Sequence, residues 1–358
     1  MKVHTFVTDT QNPQTRGRQI GERWAEQIRQ TVSLYLDFFS QVGVDPQRVR
    51  SLGEASLGAL ETWSPDLARE VAATAAGAGL PLWQLASLNA RTEILAVMPA
   101  PAEGECSTAV FAPSGAQAPR TIQTWDWHDA LVPHGLMLQL TGGSGLQVKL
   151  FTEFGMLGKI GVNSAGLGLH FNILHHASDD DSAGVPVHAI ARRLLEEARS
   201  VDEAIALARS ARVSASTVLT VFSRDDASPR AASIELSREA IATVLPREDG
   251  WITHTNHFLA PALSRGERTP DVSTTYARLE HVNAQLGGMS AGDLSARADA
   301  MCGASGEQAP ICFHPDLSMP AKERWETLLT IGIDTQDCVL EYAASNPKRL
   351  AGNGYLRF

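Results

Sequence analysis

The hydrophobic period of this 358-residue chain changes at Cys106, and that change restricts the fold more than any single motif does. From Pro13 to about Met98 apolar residues recur at spacings of three and four, so that Trp24, Ile28, Val32, Leu36 and Phe39 share one helical face. Ser64-Pro65-Asp66 has the form of an N-cap followed by Pro at the first helical position, and Leu67, Val71 and Ala75 follow at helical spacing. Leu80-Pro81-Leu82-Trp83 opens another helix, through Leu88 to about Leu95. Pro99, Pro101 and Gly104 then break the pattern, and this stretch reads as an exposed linker open to proteolysis.

Beyond Cys106 the period is two. Strands are predicted over 106–112, 120–127, 135–142, 146–154, 156–162 and 166–173, punctuated by Ser114-Gly115, Gly142-Gly143, Gly155 and Asn163-Ser164-Ala165-Gly166. In the last of these turns Gly166 is the residue able to take a positive φ. Residues 186–212 are helical again, with Ser200-Val201-Asp202-Glu203 capping the second of two helices. Strands return at 216–222, 231–236, 240–245 and 250–254, a helix covers 273–286, and 325–333 with 337–343 form a last hairpin. Helices around two runs of antiparallel strands predict an α+β fold, a four-layer αββα sandwich with two stacked sheets and helices outside, forming one structural domain.

Thirty basic residues against 40 acidic leave a net charge of −10, with both signs interspersed and no basic stripe, which excludes nucleic acid as the expected partner. Asp179-Asp180-Asp181 is the one like-charge run of note and reads as a solvated loop. Met1 to Asp9 lacks the apolar core of a signal peptide, and no apolar run is long enough to span a bilayer; a cytoplasmic protein without a membrane partner is expected. Cysteines 106, 302, 312 and 338 contain no Cys-x-x-Cys pair and make no disulfide framework; Cys302 and Cys312 read as reduced.

The chemistry concentrates around Cys106. It opens a strand, Ser107-Thr108 rather than bulky apolar residues follow it, and Asp126 lies on the adjacent predicted strand between Trp125 and Trp127. A carboxylate between two indoles is costly unless paired. Cutting between Glu105 and Cys106 places a new α-amine on the residue that carries the thiol; such an amine titrates at about 7.7–8.0 and acts as a base near neutral pH. Near the end of the later strands, His254-Thr255-Asn256-His257 offers an amide that can donate to an oxyanion. The rival reading, a metal held by His254, His257, His175, His176 and Asp179–Asp181, is set aside because His-x-x-His metal sites sit on helical turns and this one ends a strand. His170 and Asn172 alternate with Phe171 and face one side together. No Gly-rich phosphate loop and no Gly-x-Ser-x-Gly elbow occurs, and neither cofactor nor metal is expected.

Leu88-Asn89-Ala90-Arg91-Thr92-Glu93 followed by Glu105-Cys106-Ser107-Thr108-Ala109 resembles the processing region of the penicillin acyltransferase family of self-cleaving N-terminal nucleophile hydrolases. Trp125-Asp126, Phe151-Thr152-Glu153, Gly158 to Gly166, Gly184 to His188 and His254-Thr255-Asn256-His257 recur in the family's order, and the resemblance covers essentially the whole chain. It implies the αββα fold of that superfamily and an inactive precursor cut between Glu105 and Cys106. It further implies Cys106 as nucleophile, with Asp126 and Asn256 at active-site positions. Thr124, Asn172, His254, Thr255 and His257 then line or support the site. The expected segments are 1–105 and 106–358, which stay associated, and the expected partner is a small amide or acyl substrate; homo-oligomerisation is left open. Three departures stand out: Glu105 replaces a Gly, Thr124 an Asn, and Phe313 an expected Arg whose role is either missing or supplied elsewhere, with Lys322 and Arg324 the candidates. The alternative is an uncleaved, catalytically idle relative that binds a small molecule or peptide.

Overall fold

The computed structural model describes residues 1–96, 98, 106–115, 117–270 and 272–358. The linker around Pro99, Pro101 and Gly104, and Glu105 on the near side of the expected cut, lie outside the described residues.

The first segment forms α1 (Pro13–Arg23), α2 (Ala25–Gln41), α3 (Pro46–Trp63), α4 (Pro65–Ala78), α5 (Leu82–Asn89) and α6 (Arg91–Leu95). Local chemistry sets their ends. Asn12 accepts from the Thr15 amide at 2.9 Å with Pro13 at the first helical position, and Asp45 does the same for α3 with Pro46. Ser64 does occupy the N-cap of α4, but its hydroxyl makes no capping bond. Gly17 and Gly21 let α1 lie directly on α4, since a Cβ on either would stand 2.4 Å from a backbone oxygen of Glu70 or Thr74. Under that contact Arg16 Nη2 reaches Glu70 at 2.5 Å and Arg192 Nη2 reaches the same carboxylate at 3.0 Å. Burial works to raise the Glu70 carboxyl; Arg192 and Arg16 together outweigh it and hold the carboxyl below its usual range.

The strands are β1 (Lys2–Val7), β2 (Ser107–Phe111), β3 (Arg120–Trp127), β4 (His134–Thr141), β5 (Gln147–Glu153), β6 (Ile160–Asn163), β7 (Leu167–Ile173), β8 (Thr217–Ser223), β9 (Ala231–Leu236), β10 (Ile241–Val244), β11 (Trp251–His254), β12 (Glu326–Asp334), β13 (Val339–Ala343) and β14 (Leu356–Arg357). Among the described residues they form an eight-stranded sheet, β1-β4-β5-β6-β7-β8-β9-β10, and a six-stranded sheet, β11-β2-β3-β12-β13-β14. Strand boundaries follow the alternation closely, but sheet membership does not follow chain order. β2 and β3 pair with each other but stand apart from the meander that begins at β4, flanked by β11, the last strand of the second run, and by β12 of the closing hairpin. β1, from a stretch not predicted as a strand, pairs in parallel with β4.

Between the strands run α7 (Val187–Glu197), α8 (Val201–Arg209), α9 (Pro261–Ser264), α10 (Thr275–Ala284), α11 (Leu286–Met289), α12 (Leu294–Cys302) and α13 (Pro347–Asn353). Ser200 caps α8 through the Glu203 amide, and Gly166 takes φ +88°, both as expected. α7 and α8 cover the outer face of the larger sheet, and α10, α11 and α12 cover the smaller one, burying Ala109, Ile122, Val282, Met289, Leu294 and Met301 together. The inner faces meet directly: Thr108 of β2 bonds Asn172 of β7 at 2.8 Å, and Gln123 of β3 bonds the Phe171 carbonyl at 2.7 Å. This is the four-layer αββα sandwich. Among the described residues no helix is long and apolar enough to cross a membrane. In the acidic run, Asp180 and Asp181 pair with Arg238 and Arg48 in a loop, whereas Asp179 is mostly buried, and burial raises its carboxyl to about 6.

Candidate active site

Cys106 immediately precedes β2, buried where the two sheets meet. Its carbonyl accepts from Asn172 Nδ2 at 3.1 Å and from Arg278 Nη1 at 2.7 Å. The next residue is held by the adjacent strand: the Ser107 amide donates to Thr124 Oγ1 at 3.2 Å, and that hydroxyl donates to Asp126 Oδ2 at 3.2 Å. Thr124, where an Asn was expected, therefore couples the backbone beside Cys106 to the Asp126 carboxylate. Burial pushes the Cys106 thiol up to about 12; the Asp126 charge adds to the rise, and the Asp126 backbone amide and Arg278 oppose it. The sulfur is thus held as a thiol.

Asn172 is saturated on its oxygen by Thr108 Oγ1 and Gln123 Nε2, which turns its Nδ2 toward the Cys106 carbonyl. His170 shares that face, with Nδ1 on Gln123 Oε1 at 3.0 Å; burial drives its ring down to about 3, so it is a neutral spacer between the sheets. Phe171 points the other way and stacks on His188 of α7. The alternation read from the sequence holds, and the polar side is the inter-sheet face.

Asn256 comes two residues after β11, in a loop pinned at several points. His254 Nε2 meets Glu235 Oε1 at 2.8 Å, and Glu235 also accepts the Leu259 and Ala260 amides. Thr255 Oγ1 and His257 Nδ1 both bond Thr275 Oγ1, at 2.9 Å each, and burial lowers the His257 ring to about 4. His254, Thr255 and His257 thus shape the loop, and the Asn256 amide N–H is taken by Thr275 Oγ1 at 2.8 Å. The Asn256 side chain donates from Nδ2 to the Ile173 carbonyl at 2.9 Å and accepts on Oδ1 from Arg278 Nη2 at 3.0 Å.

Arg278 was not singled out in the sequence, where Tyr276-Ala277-Arg278-Leu279-Glu280 looks like one more polar helix face. Lys322 and Arg324, the candidates to replace the missing Arg at Phe313, bond the Gln41 carbonyl and Asp129 instead. The guanidinium at Cys106 comes from α10. A second unforeseen group lies at the other side of β3. Glu153 receives Tyr35 Oη, Arg91 and Lys159 Nζ, the last at 2.5 Å, and Lys159 Nζ sits 4.1 Å over the Trp125 ring. Burial, then Arg91, lowers the Lys159 amine to about 7 against the pull of Glu153. This explains how Trp125 and Trp127 tolerate charge nearby: each indole stacks under a cation, Trp127 under Arg91 at 4.3 Å.

The cluster at Cys106 offers a thiol, amide and guanidinium donors, and a buried carboxylate one hydroxyl away. Those are groups suited to attack on a carbonyl carbon and to holding the negative charge that attack creates. Among the described residues no group of three or more His, Cys, Asp or Glu side chains is arranged to hold a metal ion.

Residues 114–349 match the family described as acyl-coenzyme A:6-aminopenicillanic acid acyl-transferase. The 40 kDa form of acyl-coenzyme A:6-aminopenicillanic-acid-acyltransferase from Emericella nidulans is 27% identical over 222 residues, 61% of this chain and 60% of that relative's length. Among solved structures, a Caenorhabditis elegans N-acylethanolamine-hydrolyzing acid amidase ortholog aligns with a TM-score of 0.46 at 12% identity, over 65% of this chain and 96% of that one. A conjugated bile acid hydrolase from Clostridium perfringens aligns with a TM-score of 0.39 at 11% identity, over 70% of this chain and 96% of the other.

Proposed function

The chain belongs to the acyl-coenzyme A:6-aminopenicillanic acid acyl-transferase family, and on that premise we propose that it is a self-processing cysteine amide hydrolase or acyltransferase. The precursor activates itself at Cys106. The thiol attacks the Glu105 carbonyl, the peptide nitrogen leaves as the α-amine of Cys106 and takes up the thiol proton, and water releases Glu105 from the thioester. The two segments, 1–105 and 106–358, remain one structural domain.

In turnover the α-amine accepts the Cys106 proton and the thiolate attacks the carbonyl of a small amide or acyl substrate. Asn256 Nδ2 and a backbone N–H hold the oxyanion. The proton passes to the leaving amine, a thioester remains on Cys106, and water or an acceptor amine takes the acyl group. Asp126, through Thr124, keeps the backbone next to the nucleophile in place.

One observation carries this reading. Two nitrogens of a single guanidinium bond the Cys106 carbonyl and the Asn256 amide oxygen, which brings a neutral amide donor to the thiol-bearing residue from a distant part of the chain. Intact mass on purified protein tests it. The expected result is two pieces of about 11 and about 27 kDa, in proportion to residue numbers in the 38.4 kDa chain, and an uncut Cys106→Ala variant. Full-length chain alone after long incubation would remove the mechanism and favour an idle binding module. Cutting of Cys106→Ala at the same bond would assign the cut to another protease.

A further inference from the structure

Away from the candidate site, Cys302 and Cys312 stand as free thiols with their sulfurs 3.8 Å apart. Cys302 is the last residue of α12, and the nine residues from Gly303 to Ile311 return the chain to Cys312. Two glycines permit so short a return: Gly303 has φ +57° and Gly306 φ +56°, values that residues with a Cβ rarely adopt. The amides of Ala309 and Cys312 then bond the carbonyls of Gly306 at 3.2 Å and Ala309 at 2.9 Å, which turns the chain once more. From Cys312 it passes to β12. The Phe313 amide donates to Thr327 Oγ1 at 2.8 Å, the Thr327 amide to the Phe313 carbonyl at 3.1 Å, and Thr327 pairs with Asp126 of β3.

The two sulfurs are not equivalent. Cys302 has no exposed surface, whereas Cys312 keeps 7%. The bond from the Cys302 thiol lowers Cys312 against its burial, and the Lys348 backbone amide adds to the fall; donating that bond raises Cys302, as does burial. Lys348 and Arg349 of α13 lie beside the pair, anchored on Asp299 and Glu307. Cys312 is therefore the sulfur that a reagent reaches and the one ready as a thiolate. A disulfide needs its sulfurs about 2.05 Å apart, so closing the pair moves each by less than about 1 Å.

We propose that Cys302 and Cys312 form a reversible dithiol–disulfide site that takes low-molecular-weight disulfides, with Cys312 as the attacking sulfur and Cys302 as the resolving one. The Cys312 thiolate attacks one sulfur of the small disulfide, whose S–S bond breaks; a mixed disulfide forms and one small thiolate leaves. Cys302 gives up its proton, attacks the Cys312 sulfur and expels the second small thiolate. The two protons and two electrons of the protein thiols end on two small thiols, so the protein is oxidised and the small disulfide reduced. Oxidation fastens the last turn of α12 to the segment that enters β12 beside Asp126. The site stands apart from Cys106 and does not depend on the acyl chemistry proposed there.

The test treats purified protein with oxidised glutathione in the absence of denaturant, stops the exchange with acid and weighs the tryptic peptide 298–322, which holds both cysteines. The expected result is a loss of about 2 Da, reversed by dithiothreitol. A second protease that cuts after Glu307 should leave the two halves of the oxidised peptide joined and those of the reduced peptide separate. Cys302→Ser should trap a glutathione adduct of about 305 Da on Cys312, and Cys312→Ser should leave Cys302 without one. A pair that stays reduced in the native protein, that oxidises only in urea, or whose members link to Cys106 or Cys338 instead overturns the proposal. An adduct that collects on Cys302 in Cys312→Ser overturns it as well. If either serine variant does not fold, wild-type protein stopped early decides the order: the transient adduct belongs on the 308–322 half, and its appearance on the other half sinks the assignment.

Discussion

Tyr35 on α2 donates its hydroxyl to Glu153 Oε2 on β5 over 2.6 Å, between two residues that the proposed cut would place in different pieces. The same hydroxyl accepts from Trp127 Nε1 at 2.8 Å and is bonded by Arg91 Nη1, and both Tyr35 and Glu153 are fully buried. Burial raises the Tyr35 phenol well above its usual value, so it stays a proton donor at all accessible pH. A neutral hydroxyl thus joins a carboxylate, a guanidinium and an indole across the proposed chain break.

Tyr35→Phe removes that hydroxyl and leaves the Trp127 N–H without its acceptor. Each buried group so orphaned costs about 1–3 kcal/mol, so a loss of roughly 2–4 kcal/mol in unfolding free energy is expected. Urea denaturation measures it, and a change below about 0.5 kcal/mol would show that water replaces the hydroxyl freely.

The two pieces should remain together after processing. Ile28, Phe39 and Leu88 of the first segment share one core with Leu138, Phe151 and Phe154 of the second. Asn89 exchanges bonds with the Gly155 carbonyl and the Leu157 amide, and Arg16 with Arg192 encloses Glu70. Size-exclusion chromatography followed by denaturing electrophoresis should find both pieces in one peak. Elution of the small piece alone contradicts this.

Asn256→Ala, once shown to be cut, should lower kcat far more than it raises KM, because an oxyanion donor acts in the transition state; the loss is about 100- to 1000-fold. Asn256→Asp should be at least as harmful, since its carboxylate would pair with Arg278 and repel developing negative charge. Near-normal turnover of processed Asn256→Ala on an amide substrate shifts the donor elsewhere, and not to Thr124, whose one hydroxyl hydrogen goes to Asp126 Oδ2.

Glu93 makes a pH prediction. Burial raises its carboxyl to about 8; Oε1 accepts from the Val187 amide at 2.8 Å, and Oε2 has no hydrogen-bond partner among the described residues. The folded chain therefore holds a proton that the unfolded chain releases near pH ~4.3, so this group's contribution is present in full below about 4.3 and is lost as pH rises toward 8. Glu93→Gln should raise unfolding free energy at about pH 9 by on the order of 2 kcal/mol and leave it little changed at about pH 4. Equal effects at both pH values would show that the proton on Glu93 is not the cause.

Much of this molecule is local, and what is local was legible in the sequence. Spacings of three and four marked the first helices, alternation marked the strands from β2 to β13, and Gly166 and Ser200 announced a turn and a cap, because each depends on residues within a turn or two of one another. Cys106 stood out for the same reason, as a cysteine where one period gives way to another. What only the tertiary structure decided is non-local. β2 keeps β3 on one side and takes the distant β11 on the other, the register places His254 opposite Thr108, and the loop after β11 thereby delivers Asn256 to Cys106. Arg278 gives no local signal at all, since an arginine on a helix reads as solvated until the packing of α10 against β2 buries it over the Cys106 carbonyl. Backbone periodicity is set by near neighbours, whereas the meeting of side chains across sheets is set by which surfaces must be buried together.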